Sequence, residues 1–230
     1  MKTYLEMVND VLIALRDDQV TSVGQDVHTQ LIGRFVNDAK VQCEAATDWS
    51  ALGTEEIVVV PAGTEKLSIA GSANRIKIDY ILNVTNDNIL SQRSRRAMQI
   101  QALKGQVPVG IPGNWCNNGV DTNGDAVVQI SPSPAVTTSF AVVGFQRTAS
   151  LVADSDILLI PSVPVRDLAI ALAVRERGEV SGQMSAEYFE IAKRTLSDAV
   201  AYDAAKNDGE DTWYVEGVEK DQWNNNTRGW

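Results

Sequence analysis

The apolar residues of this chain repeat with a helical period at both ends and a strand period in the middle, and that order constrains its fold most. Near the N-terminus, Leu5, Val8, Leu12 and Leu15 fall three and four residues apart, which is one face of a helix spanning Tyr4 to Leu15. Asp17, Asp18 and the run Thr21-Ser22-Val23-Gly24 interrupt it. A second helix is predicted from Asp26, a suitable cap, to Ala46, with Val27, Leu31, Phe35, Ala39 and Cys43 at four-residue spacing. A short connection makes these two an antiparallel pair.

After Asp48-Trp49 the period changes. Ile57-Val58-Val59-Val60 reads as a buried strand closed by Pro61-Ala62-Gly63. Between Arg75 and Val84 the residues alternate, which places Ile76, Ile78, Tyr80, Leu82 and Val84 on one face. A helix from Ser91 to Lys104 is predicted with Ala97, Ile100 and Leu103 in register, stopped by Gly105. Asn118-Gly119 and Asn123-Gly124 are hairpin-turn signals. Strands follow at Ala126–Ile130, Ser139–Thr148 and Ile157–Ile160. The helical period returns after Pro161, first with Val165, Leu168, Ala169, Leu172 and Ala173. It resumes from Ser185 to Lys206 with Phe189, Ala192, Leu196 and Val200.

The expected fold is therefore α+β. An antiparallel helical bundle forms from residues 1–50 and 161–206, an antiparallel β module is inserted at 51–160, and an extended C-terminal tail covers 207–230.

Composition narrows the function. A net charge of −10 and an isoelectric point near 4.6 disfavour tight binding to nucleic-acid phosphates, which needs clustered Lys and Arg. Two cysteines, Cys43 and Cys116, make no disulfide framework and lack metal-ligand spacing; Cys43 reads as a small core residue. No apolar run reaches the roughly 20 residues of a membrane span, and the N-terminus has no signal-peptide core, so synthesis in the cytoplasm and no membrane contact are expected.

Chemistry is sparse. His28 is the only histidine, and no nucleophile elbow accompanies it. Asp121-Thr122-Asn123-Gly124-Asp125 resembles a calcium loop. However, the positions that need Gly and Glu hold Ala126 and Pro132, so it reads as a solvated hairpin tip. No phosphate-cradling loop or paired-cysteine zinc site is present, so no catalytic, cofactor or metal residue is assigned. A carboxylate pair of the glycosidase kind is defined by distance in the fold and stays open.

Two segments stand out. From Asn88 to Val120 there is no acidic residue, while Arg93, Arg95, Arg96 and Lys104 give a local +4. Arg93, Arg95 and Arg96 are candidates for a contact with a neighbouring subunit's acidic surface; the bland alternative is a solvated helix face. The tail holds six acids and two bases, yet also three of the five tryptophans, Trp213, Trp223 and Trp230, together with Tyr214. Large aromatics in a polar segment suit pockets on a partner.

The order of elements is distinctive. The helix Val8-Asn9-Asp10-Val11-Leu12-Ile13-Ala14-Leu15-Arg16 is followed by one ending in Asp48-Trp49. A strand-rich module comes next, then a helix closed by Gly105-x-x-Pro108 and the strand Val128-Gln129-Ile130-Ser131-Pro132-Ser133-Pro134. Asp156-Ile157-Leu158-Leu159-Ile160-Pro161 then leads into a long helix. Over residues 1 to 206 this resembles the head-to-tail adaptor proteins of short-tailed bacteriophages, the tail tubular protein A family. The resemblance implies a non-enzymatic virion protein of the neck between capsid and tail, a dodecameric homo-oligomeric ring. Such a ring binds the portal protein, extends the channel through which DNA passes without specific binding, and receives the tail nozzle protein. It also makes Trp213, Tyr214, Trp223 and Trp230 candidate portal-binding residues. Alternatives are a carbohydrate-binding or cell-wall-degrading module built on the β insert, and a β-sandwich binding protein unrelated to virions.

Overall fold

The computed structural model describes residues 1–105, 108–178 and 183–207. In chain order the helices are α1 (Tyr4–Ala14), α2 (Val27–Glu44), α3 (Arg95–Leu103), α4 (Ser162–Glu176) and α5 (Gln183–Asn207). The strands are β1 (Gly53–Val60), β2 (Lys66–Ile69), β3 (Ile76–Asn83), β4 (Asn88–Ile89), β5 (Ser91–Gln92), β6 (Val109–Gly110), β7 (Asn114–Val120), β8 (Ala126–Ser131), β9 (Ser133–Pro134) and β10 (Thr138–Gln146). Helices and largely antiparallel sheets in one chain make the fold α+β. They gather into two compact units: Met1–Ala51 with the described part of Ser150–Trp230, and Leu52–Ala149.

In the helical unit α4 is central, packing on α1, α2 and α5. Its residues Val165, Asp167, Ala169, Ile170, Ala171, Leu172, Ala173 and Val174 are all buried, so from Ala169 to Val174 it has no wet face and serves as a core element. Pro164 sits in its first turn, where the missing N–H costs no intrahelical bond. α1 starts with a reciprocal cap, in which Thr3 Oγ1 accepts from the Glu6 amide at 3.3 Å and Glu6 accepts from the Thr3 amide at 2.8 Å. It buries Met7, Val8, Val11 and Leu12.

α2 departs from the expected stripe. Val27 is 83% exposed and Leu31 and Phe35 are half-buried, whereas Ile32, Val36, Ala39, Lys40, Cys43 and Glu44 are buried. A strict four-residue step overshoots the turn of 3.6 residues, so a line of such residues winds off the buried face. The buried set mixes steps of three and four. Gly33 belongs to it because a side chain there would meet Tyr4 Oη at 2.4 Å and Val23 Cγ1 at 2.8 Å.

Residues 151–160, expected to belong to the β module, pair instead with the start of the chain. Thr3 and Ile157 form an antiparallel bridge, and the Tyr4 and Leu158 amides donate to Asp156 and Lys2 carbonyls at 2.8 and 3.0 Å. A four-residue apolar run gives no sign of which unit it will pair in. Asparagines fix the connections: Asn9 donates to and accepts from Val20, and Asn37 does the same with Leu151. α5 turns Ala192 and Asp203 inward, with Leu196 and Val200 half-buried. Asp203 accepts from the amide and hydroxyl of Ser50 at 2.8 and 2.6 Å, tying α5 to the chain after α2.

The second unit is a sandwich. One sheet has the order β1-β10-β3-β4 and the other β2-β8-β7-β5, with a small β6-β9 pair beside them. Val60, Ile81, Phe140 and Val142 from the first sheet meet Leu67, Ile69, Trp115, Val128 and Ile130 from the second. β4 and β5 are consecutive pieces of one extended segment, one in each sheet, with Leu90 buried between them. The β5–β7 and β6–β9 pairings are parallel, so the module is not purely antiparallel as expected.

Three local expectations fail here. β3 does not keep one alternation, because its register against β10 slips between Val143 and Gly144. Ile76 and Ile78 pack on the core, as does Ile81, which leaves Tyr80 and Leu82 on the other face. Gly144 is required at the slip, since a Cβ there would lie 2.2 Å from the Lys77 carbonyl oxygen. Asn118-Gly119 makes no hairpin turn; Gly119, at φ +98°, is the irregularity inside β7, and the hairpin turns at Asp121–Asp125. Ser91 and Gln92 form β5, so α3 begins only after its cap Ser94.

Candidate assembly surfaces

α3 lies along the second sheet through β7 and buries only Met98. The expected stripe is inverted: Ala97 is exposed, Ile100 is 43% exposed and Leu103 88%. The sheet beneath offers little apolar surface, because the residues paired across its outer face are Lys66, Gln129 and Cys116. A helix over a polar face keeps few of its own apolar residues covered.

The three arginines predicted as interface residues fall together at the start of this helix. The Arg93 amide continues the β5–β7 pairing by donating to the Trp115 carbonyl at 2.8 Å, and its Nε donates to Asn114 Oδ1 at 2.9 Å. Arg95 and Arg96 occupy the exposed first turn, and among the described residues no carboxylate forms an ion pair with any of the three. The first turn of a helix already carries partial positive charge from its free N–H groups, so two guanidiniums there favour an anionic neighbour. Burial pushes the thiol of Cys116 up, an effect that the nearby charge of Arg95 opposes. The other end of α3 borders a cleft of about 420 Å³ lined by Glu65, Lys66, Gln99, Ala102, Leu103, Asn118 and Gln129.

The first sheet presents the opposite character. Ile57, Ala141, Leu82 and Ile89 lie side by side across its four strands on the face away from the core. Ile57, Val59, Val84 and Ile89 are 63, 61, 49 and 47% exposed. The sequence hinted at this band only through the unbroken run Ile57–Val60, read above as a buried strand; a strand with both faces apolar looks the same whether or not its outer face is covered.

The residues that could carry chemistry are otherwise engaged. His28 Nε2 lies 3.1 Å from Asp17 Oδ2, and Arg177 donates to both Asp17 and the Leu15 carbonyl. This clasp joins the end of α1, the start of α2 and the end of α4. Partial burial would raise the Asp17 carboxyl, but hydrogen bonds and charge from His28 and Arg177 hold it below its usual range. Cys43 is fully buried, and burial with the charge of Glu44 pushes its thiol up to about 12, so it is inert. Asp121 accepts from Ser68, Asp125 and Asn123, which hold its carboxyl low and make the loop a self-contained turn. Among the described residues no three His, Cys, Asp or Glu gather as a metal site, and no helix is long and apolar enough to cross a membrane.

Trp213, Tyr214, Trp223 and Trp230 lie outside the described residues. Comparison with known proteins gives two results. No curated protein matches the chain. The family model described as SU10 adaptor protein matches residues 2–217, which takes in both compact units. The chain belongs to the SU10 adaptor protein family, a family of phage adaptor proteins.

Proposed function

We propose that the chain is a non-enzymatic structural subunit of the virion neck, made in the host cytoplasm. Copies form a ring, twelve by the resemblance to the tail tubular protein A family, that binds the portal, extends the DNA channel and receives the tail nozzle. The adaptor-family match across both units carries this reading. The net charge of −10 supports it, since an acidic channel lets DNA pass without holding it.

The charge is also unevenly placed. Leu52–Ala149 holds eight Lys and Arg against seven Asp and Glu, so the excess of acid lies in the rest of the chain. Arg93, Arg95 and Arg96 thus face the acidic side of the next copy, a head-to-tail contact that closes into a ring. The helices of the first unit run as an antiparallel bundle, and the aromatic residues of the tail, Trp223 and Trp230 foremost, anchor the ring on the portal.

The test is direct imaging. Full-length chain mixed with the portal of the same phage should give a ring stacked on the portal by electron microscopy, with the corresponding mass by native mass spectrometry. A chain that stays monomeric beside an intact portal ring would overturn the reading.

A further inference from the structure

We propose that the cleft at the C-terminal end of α3 receives the first part of the tail, Asp208–Tyr214, from a second copy of this chain, with Trp213 in the cleft. The inference rests on the ring reading above and names the contact that links one copy to the next. It also divides the tail, leaving Trp223 and Trp230 to the portal.

Three observations carry it. The first is charge. Asp208, Glu210 and Asp211 are three acids within four positions of the sequence, and Arg93, Arg95 and Arg96 are three bases that no described carboxylate pairs. The second is the cleft itself. At about 420 Å³ it falls in the roughly 300–1,000 Å³ range of clefts that take small ligands. Leu103, 88% exposed at its wall, gives an indole an apolar surface, while Lys66, Asn118 and Gln129 leave polar groups for the indole N–H and the peptide.

The third observation is spacing. Along α3, Arg95 and Arg96 precede Leu103 by about two turns, on the order of 11 Å at 1.5 Å per residue. In an extended chain Glu210 and Asp211 precede Trp213 and Tyr214 by about three residues, roughly 10 Å. One extended segment can therefore meet the arginines with its acids and the cleft with its first aromatic. The family match adds a division at the same place, because it runs through Trp213 and Tyr214 and stops at residue 217, before Trp223. Trp213 stands six residues beyond Asn207, so an extended chain carries it up to roughly 20 Å from the end of α5, which sets how close the next copy must lie.

Intermolecular photo-crosslinking tests the contact in the full-length chain. Trp213 is replaced by p-benzoylphenylalanine, and this light copy is mixed with a heavy, ¹⁵N-labelled copy of native sequence. Light-to-heavy cross-links should land on peptides holding Gln99–Leu103 or Lys66. They should fall at least fivefold when the heavy copy carries Leu103→Asp or Arg95→Glu with Arg96→Glu, and also at high salt, where exposed charges are screened. A heavy copy with Ile57→Asp, altered on the other sheet, should cross-link as the native one does. Residues 57 and 103 are both exposed, and circular dichroism of each variant checks folding. Cross-links elsewhere, only within one copy, or indifferent to Leu103→Asp overturn the contact. Native mass spectrometry of the same mixture with the portal added separates the two claims: rings with misplaced cross-links sink this inference alone, whereas no rings and no cross-links between copies sink both.

Discussion

Lys40 and Glu44 are 1% and 2% exposed, one helical turn apart on α2, with Nζ 3.1 Å from Oε1. At an effective dielectric of about 20, two unit charges at that distance attract by about 5 kcal/mol. Desolvation offsets much of this, so the pair as a whole adds little stability, whereas removing either partner takes the nearest opposite charge from a group that stays buried. Lys40→Met should therefore cost about 3–5 kcal/mol, and so should Glu44→Leu. The double variant should lie within about 1 kcal/mol of the native chain or above it, because both charges are then gone and the shapes are roughly kept. Denaturant unfolding followed by far-ultraviolet circular dichroism at 222 nm is the assay, since the helical unit holds four of the five α-helices among the described residues. The coupling from the double-mutant cycle should exceed about 2 kcal/mol. Single variants that cost less than about 1 kcal/mol, or a double variant as unstable as the sum of the singles, would refute the reasoning.

Two further perturbations test other parts of the fold. Gly144→Ala should destabilise the β unit by more than about 3 kcal/mol, because its Cβ would sit 2.2 Å from backbone at the β3–β10 slip and nothing flexible can yield; near-ultraviolet circular dichroism and a thermal melt would register it. Asp156 accepts from the Val152 and Ala153 amides at 2.7 and 2.9 Å, and these bonds hold its carboxyl below the usual range. A depressed carboxyl stabilises above its unfolded value of about 3.9 and loses that contribution as pH falls through the folded value. The gap in melting temperature between native chain and Asp156→Asn should be widest near neutrality and close below about pH 4; a gap that stays constant down to pH 3 would count against it.

Much of the architecture was legible in period alone. α1, α4 and α5 bury residues that their sequence marks, and the expected strand Ile57–Val60 is the second half of β1, which starts four residues earlier at Gly53. What failed shares one cause: period reports which residues are apolar, not what will lie against them. Leu103 and Ile100 are apolar and in register, yet the sheet under α3 is polar and leaves them in water. Ile76 and Leu82 alternate in phase, yet a slip that depends on Gly144 separates their faces. Arg93, Arg95 and Arg96 were found because a charge run needs no knowledge of contacts. The cleft beside Leu103 was not, because it draws on residues from Glu65 to Gln129 that only the sheet brings together.

The first and last long strands of the β unit are neighbours. β1 and β10 pair over their lengths, with Gly53 opposite Phe145, so the chain leaves the helical unit and comes back to it through two adjacent strand ends. During synthesis α1 and α2 emerge first and must wait for the whole of Leu52–Ala149, roughly 5–20 s at bacterial rates, before α4 can cover them. Once the two strands zip together, that long excursion behaves as a tight turn. The entropy of closing so large a loop is then met inside the sandwich, not by the helices. The β unit is thus a cassette with both leads at one point, free to lengthen or diversify its outward faces without altering how the helices close.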